Sequence, residues 1–508
     1  MGLAGGLALA LPFGASACSG EGSTGTLLKS RAKLPGPFEA PLPIPPVLER
    51  VRTDAGIDYY EMTQKVGKAE ILPGLETEVW GYDGIFPGPT IESRSGRKIV
   101  VRQTNDLPVP VSTHLHGGRT PPASDGYPTD LIMPKKTDDR SMGGHGSMDM
   151  AGSKHFKDYV YPLEQRAATL WYHDHRMDFT GPQVWRGLAG FHIIRDDEED
   201  VLPLPKGEKD IPLMICDRSF DRDGSFLYPS LDPSLDSKPG VEDDYMDGVL
   251  GDTIMVNGAP WPVLEVSNTR YRFRILNASN ARRYELALEP GKAPFIQIGS
   301  DGGLLGAPIL HRTLPVAQAE RFDVVIDFSK YDIGDEVTLK NRMGEGRTED
   351  VMRFRVTRRE KDDSTVPRRL SDMAEFDELE ESSANRTRAF RFTRVGDKGR
   401  TMWGINGEPF DPGRMAARPA LGSTELWQVK AAPASHPVHL HLVHFKVLSR
   451  NDGEPLPTDA GWKDTVGLSS GEEARVLVRF EGYRGRYVFH CHNLEHEDMM
   501  MMANFEVT

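Results

Sequence analysis

Ten of the fifteen histidines in this chain stand in four short groups, and their placement limits the fold more than any other feature. The groups are HLH (His114, His116), HDH (His173, His175), HPVHLH (His436, His439, His441) and HCHNLEH (His490, His492, His496). Their flanks, VSTHLH, LWYHDH, VHLHLV and YVFHCH, are apolar and β-forming. Side chains on a strand alternate between faces, so His-x-His sends two imidazoles out of one face, one pleat apart. Four such strands can bring together His114, His116, His173, His175, His439, His441, His490 and His492. The fold must then pack strands from the first part of the chain against strands from its end.

Nothing satisfies so many neighbouring ring nitrogens as economically as metal, and imidazole suits copper, zinc, iron and nickel. In HCH the cysteine points away from the face its neighbours share, so one strand can serve two metal sites. Cys491 and His496 offer a thiolate and an imidazole. His436 offers a second imidazole, and Met501, five residues after His496, a weak axial thioether. Two His, one Cys and a long axial Met form a blue-copper electron-transfer set.

The rest of the chain reads as all-β. Short runs such as RKIVVRQTN, RYRFRILNAS, RFDVVIDF, ARVLVRFE and RYVFH are separated by Pro and Gly turns, and long amphipathic helical patterns are scarce. A weak repeat begins at Gly84 (GIFPGPTIE), Asn257 (NGAPWPVLE) and Asn406 (NGEPF), and supports several similar sandwich or barrel domains. The DDEED run and the charged stretch ending near Arg388, read as an exposed linker, divide the chain into 51–200, 201–375 and 376–508. Residues 19–50, rich in Gly, Ser and Pro, read as an extended lead-in.

A net charge of -14 argues against a nucleic-acid partner, which needs a basic face. Three cysteines are too few for a disulfide framework. Cys216, in IPLMIC, reads as a buried small hydrophobe. Residues 1–18, MGLAGGLALALPFGASAC, look like the apolar part of an export signal, with a small-residue ASA site before Cys18. Whether Cys18 is removed or lipidated is left open. The stretch is short and glycine-rich for a span, so the mature protein is expected to lack a stable membrane span. It is expected to be exported to a periplasmic, extracellular or cell-surface location.

The motifs HLHGG, WYHDH, HPVHLHLVHF and HCHNLEHEDMMMM, in this order and spacing, resemble the multicopper oxidases over nearly the whole mature chain, most of all the bacterial spore-coat laccases and bilirubin oxidases. The resemblance implies three cupredoxin-like (Greek-key β-sandwich) domains and four copper ions: one type 1, one type 2 and two type 3. It implies one-electron oxidation of phenols, aromatic amines or bilirubin-like tetrapyrroles, coupled to four-electron reduction of dioxygen to water. By matching position, His436, Cys491, His496 and Met501 would hold type 1 copper. His114 and His439 would hold type 2, and His116, His173, His175, His441, His490 and His492 the type 3 pair. Asp125 and Glu497 match acidic positions near the cluster, where a carboxylate relay helps a reaction that consumes protons. Pro433 and Ala434, and the GSDGG loop at Asp301, are candidates beside the reductant.

The other readings concern the sulfur-rich stretches. Of Met499–Met502, only Met501 is read as a ligand, the rest as packing. Segment 141–155 (Met142, His145, Met148, Met150, His155) reads as a surface loop, or alternatively as a mark of a cuprous-ion oxidase in copper homeostasis, because thioethers select Cu(I). His192, His311 and His444 read as structural.

Overall fold

The computed structural model describes residues 23–135, 154–397 and 400–508. The export-signal segment, Cys18, Met142, His145, Met148 and Met150 lie outside them. Strands dominate, and the main sheets fall into three pairs. In the first, a five-stranded sheet centred on Ile57–Ala69 and Ile99–Asn105 faces a four-stranded sheet of Gly88–Arg94, Ala189–Arg195, Ala168–Asp174 and Thr113–His116. The second pairs a seven-stranded and a five-stranded sheet, from Asp210–Arg218 to Asp350–Arg358. The third pairs two five-stranded sheets, from Arg386–Asp397 to Met502–Val507. Among the described residues no helix is long and apolar enough to cross a membrane.

The weak repeat has a physical basis. Each copy starts at a two-residue hairpin turn whose residues both have positive φ: Asp83–Gly84 (58° and 73°), Asn257–Gly258 (50° and 87°) and Asn406–Gly407 (55° and 82°). Asp-Gly and Asn-Gly favour this turn because its twist matches that of the flanking strands. In each copy the strand after the extended run pairs in parallel with the strand that opens the sandwich. Ile99–Asn105 lies on Ile57–Ala69, Arg270–Asn277 on Asp210–Arg218, and Thr424–Ala431 on Arg386–Asp397.

Two segments read as loose are docked. Thr26–Leu28 of the lead-in pairs in parallel with Val249–Gly251, and Thr24 Oγ1 accepts from Ser435 N at 3.1 Å, beside His436. The charged linker is largely exposed but pinned to all three sandwiches. Asp372 N donates to Glu198 Oε1 (2.7 Å), Leu370 N to Gly306 O (2.9 Å), and Lys446 Nζ to Phe376 O (2.9 Å). Charge alone suggested exposure; the buried Leu370 and Leu379 within the run supply the anchors.

Alternation along RYRFRILN explains how the first two sandwiches lock. Tyr271, Phe273 and Ile275 enter the middle core. Arg272 and Arg274 therefore leave by the opposite face. There Arg272 Nε donates to Asp323 Oδ1 (2.9 Å) and its Nη2 to Glu199 Oε2 (3.0 Å). Arg274 binds Asp210 (2.8 Å), Glu199 (3.0 Å) and Thr169 Oγ1 (3.0 Å), the last on the strand that carries His173. Burial alone would raise Glu199 and Asp210, but Arg274, Arg272 and Arg195 overcome it and hold both well below their ordinary 4.5 and 3.8.

Arg272→Met strands buried carboxylates and is expected to cost about 3–5 kcal/mol, read as earlier unfolding by scanning calorimetry at neutral pH. Because the carboxylates' folded pKa values are depressed, the interlock is at full strength above their ordinary range and is lost as pH falls through the lowered values. The gap between variant and wild type is therefore expected to narrow in acid.

Candidate metal centre

The four histidine motifs arrive as two pairs of neighbouring strands, one in each outer sandwich. Thr113–His116 runs antiparallel to Ala168–Asp174, with His114 opposite His173 and His116 opposite Trp171. His436–Leu440 runs antiparallel to Gly485–Cys491, with His439 opposite His490 and Val438 opposite Cys491. His175, His441 and His492 stand one residue past the ends of their strands. The second imidazole of three motifs is thus held by backbone leaving the sheet, not by the pleat. Ring centres within the four His-x-His motifs are still only 5.7, 5.8, 5.0 and 5.5 Å apart.

Every one of the twelve expected ligands is buried. Donor atoms converge in sets: His114, His116 and His439; His116, His173 and His492; His175, His441 and His490; and, apart from these, His436, Cys491 and His496. His490 Nε2 lies 3.3 Å from both His175 Nε2 and His441 Nε2, and His114 Nε2 lies 3.4 Å from His439 Nε2. His436 Nδ1 is 3.1 Å from His496 Nδ1, and Cys491 Sγ is 3.4 and 3.6 Å from these two nitrogens. A metal bonded tetrahedrally to imidazole nitrogens at about 2.0–2.1 Å holds them about 3.3 Å apart, and a thiolate sulfur at about 2.3 Å lies about 3.5 Å from each. The spacing fits metal ligation.

The far ring nitrogens of five histidines are tied, which aims their near ones. His114 Nδ1 donates to Asp125 O (2.6 Å), His173 Nδ1 to Asp174 O (2.7 Å) and His439 Nδ1 to Asp464 O (2.9 Å). His441 Nδ1 donates to Asp125 Oδ2 (2.8 Å), and His116 Nε2 to Asp464 Oδ1 (3.0 Å). Burial drives His114, His116, His173, His441, His492 and His496 well below their ordinary pKa, His175 to about 4 and His436 to about 3. These rings are neutral at pH 7, the form that binds metal. Burial pushes the Cys491 thiol well above its ordinary range, and a bound cation reverses this by taking the thiolate.

Met501 packs in one cluster with Cys491, and Cys491 N donates to Met501 O at 3.1 Å. Met502 packs with Tyr127, Phe410 and Val488. Asp125 and Glu497 are buried among the histidines. Gly126 lets Asp125 approach: with φ at 76°, a Cβ there would stand 2.1 Å from Thr113 O and 2.6 Å from His114 Cα. Glu497 Oε2 lies 3.0 Å from His490 Nδ1, and its Oε1 accepts from Thr180 Oγ1 at 2.8 Å.

One sequence candidate is corrected. The glycine-rich loop at Asp301 suggested a surface beside the reductant. Asp301 is buried instead, 3.1 Å from Lys463 Nζ and accepting from Arg321 N at 2.8 Å. Sequence reasoning also missed Asp464 and Thr465, which hold His116 and His439. Their only local signal is a lone aspartate in the apolar run WKDTVGL. Trp403, whose ring lies tilted against His496 at 3.9 Å, was missed as well. His192 and His311 have structural partners, Ser93 (2.7 Å) and Gln297 (2.8 Å).

Comparison with known proteins agrees with this geometry. Residues 383–508 match one family model described as multicopper oxidase, and residues 63–143 and 140–199 match a second with the same description. The laccase of Bacillus subtilis (strain 168) is 37% identical over 93% of this chain and 98% of its own length. The bilirubin oxidase of Albifimbria verrucaria is 36% identical over 96% of this chain and 84% of its own. The crystal structure of a laccase from Pediococcus acidilactici superposes with a TM-score of 0.79 at 31% identity, covering 95% of this chain and 96% of that one. Cupredoxin-like sandwiches enclosing buried histidine and cysteine sites define a copper-dependent oxidoreductase that uses dioxygen as acceptor. The chain belongs to the multicopper oxidase family.

Asp464→Asn weakens the hold on His116 and is expected to lower copper affinity at the histidine sites about 10–100-fold, read as copper retained after dialysis against a chelator.

Proposed function

We propose that this protein is an oxidase of the laccase or bilirubin oxidase type, with four copper ions and a phenol, aromatic amine or tetrapyrrole as reductant. In this reading His436, Cys491, His496 and Met501 hold a type 1 ion, His114 and His439 a type 2 ion, and the remaining six histidines a type 3 pair. One observation carries it. The Cys491 side chain belongs to the His436/His496 set, while its chain neighbours His490 and His492 belong to two of the histidine-only sets. The three residues join the sites covalently through a few bonds. Bound copper supplies the one-electron acceptor and the centre at which dioxygen is reduced.

The chain's own groups then have distinct tasks. The imidazoles of His114, His116, His173, His175, His436, His441, His492 and His496, neutral through burial, bind without losing protons. Burial pushes Asp125 well above the usual carboxyl range, which favours its protonated form. Its Oδ2 orients His441, while its buried Oδ1 has no hydrogen-bond partner among the described residues. Burial would raise Glu497 too, but His175 and His490 outweigh it and hold Glu497 at about 2, an anion able to accept a proton. Together they form a donor and an acceptor flanking the histidine-only sets. Names of relatives support the organic reductants: laccase in Bacillus subtilis and Bacillus stratosphericus, bilirubin oxidase in Albifimbria verrucaria.

The test is oxygen uptake by fully copper-loaded protein offered a substituted phenol, bilirubin and Cu(I) in turn. Rapid uptake with phenol or bilirubin and little with Cu(I) is expected; uptake with Cu(I) alone would move the assignment to cuprous-ion oxidation. Cys491→Ser is expected to abolish both uptake and the blue absorbance. Glu497→Gln should keep the blue absorbance and lower kcat about 10²–10⁴-fold, with little change in KM for the reductant.

A further inference from the structure

The imidazoles of His436 and His496 are both 0% exposed, so a reductant at the surface touches neither. One side chain packs on both. The Trp403 indole lies 3.9 Å from the His496 ring, tilted by 35°, and 5.3 Å from the His436 ring, edge-on at 79°. It is itself 1% exposed. Its Nε1 donates to Met246 O at 3.0 Å and its backbone N to Met499 O at 3.0 Å, so ring and backbone are fixed from separate segments.

A charged pair completes the stack towards solvent. The Arg394 guanidinium lies over the indole, 5.0 Å from its centre, and pairs with the Asp247 carboxylate. The Arg394 and Asp247 side chains are 45% and 42% exposed. Asp247 O also accepts from Asn493 Nδ2 at 3.1 Å, and Asn493 caps the short helix that bears His496. The contacts thus run without a gap from an exposed ion pair, through one buried indole, to a buried ligand imidazole. Packed π systems pass electrons better than an open gap of the same width. A guanidinium plane also stacks on flat aromatic molecules and pairs with phenolate or carboxylate groups.

We propose that Trp403 is the bridge by which electrons reach the type 1 site, from an aromatic, anionic reductant docked at Arg394 and Asp247. The proposal rests on the laccase-type reading above. In each transfer the reductant loses one electron, the type 1 site gains it and the indole ends as it began; a phenolate leaves as the phenoxyl radical with no proton released, and a phenol that docks protonated also gives its proton to solvent.

The experiment is anaerobic stopped-flow bleaching of the blue absorbance of copper-loaded protein by a substituted phenol, for wild type, Trp403→Leu, Trp403→Phe and Arg394→Gln. Reduction potentials and paramagnetic resonance spectra of the type 1 copper are measured on the same samples. Trp403→Leu is expected to slow bleaching about tenfold or more, Trp403→Phe to recover most of the rate, and neither to alter the resting spectra. Arg394→Gln is expected to raise the phenol concentration needed for half-maximal rate. An unchanged rate in Trp403→Leu, or a fall no larger than its shift in potential accounts for, overturns the bridge. If wild type is not bleached by phenol or bilirubin, the laccase-type reading falls first and the bridge with it.

Discussion

Taking eight imidazoles out of water and facing their nitrogens at one another is the constraint that the rest of the molecule serves. Buried polar atoms without partners are costly. The near nitrogens find no relief in protein hydrogen bonds, because neutral rings turned lone pair to lone pair have no proton to share. The far nitrogens consume Asp125, Asp464 and main-chain carbonyls. Those carboxylates bring their own burial cost. Asp464 is met by Arg321 Nη1 at 2.7 Å, and Arg321 and Lys463 are met in turn by Asp301. Charge compensation therefore spreads outward in shells from the clustered imidazoles.

The strand Gly485–Cys491 concentrates this arrangement. Cys491 N is held by Met501 O, and His492 N donates to Pro437 O, next to His436. The two kinds of site share a backbone whose hydrogen bonds run to each other's neighbours. Neither can shift without moving the other, which keeps the short covalent path between them at constant length.

The clustered donors were legible in the sequence because their signal is local. Spacing within HLH, HDH, HPVHLH and HCHNLEH states the pairing, and a cysteine between two histidines states that one strand serves two sites. The repeat was legible because Asp-Gly and Asn-Gly at 83, 257 and 406 carry their turn geometry in their own residue types. Residues that hold the ligands were hidden because their partners are remote. Asp464 meets His116 across 348 positions, and a lone aspartate in WKDTV does not name that partner. Asp301 was a candidate by resemblance alone, and only its distant partner Lys463 shows that it is buried. Trp403 belongs to no motif, and only the fold sets it against His496.

The middle sandwich bears no member of the clustered donor sets, yet it is fastened to both neighbours through Arg272, Arg274 and Arg321. Its part is that of a keystone. A chain trimmed to the two outer sandwiches would still spell out every ligand and would leave Asp464 facing His116 without its cation. The middle repeat is therefore not spare material: it is the counterweight that lets the clustered donors stay where water is absent.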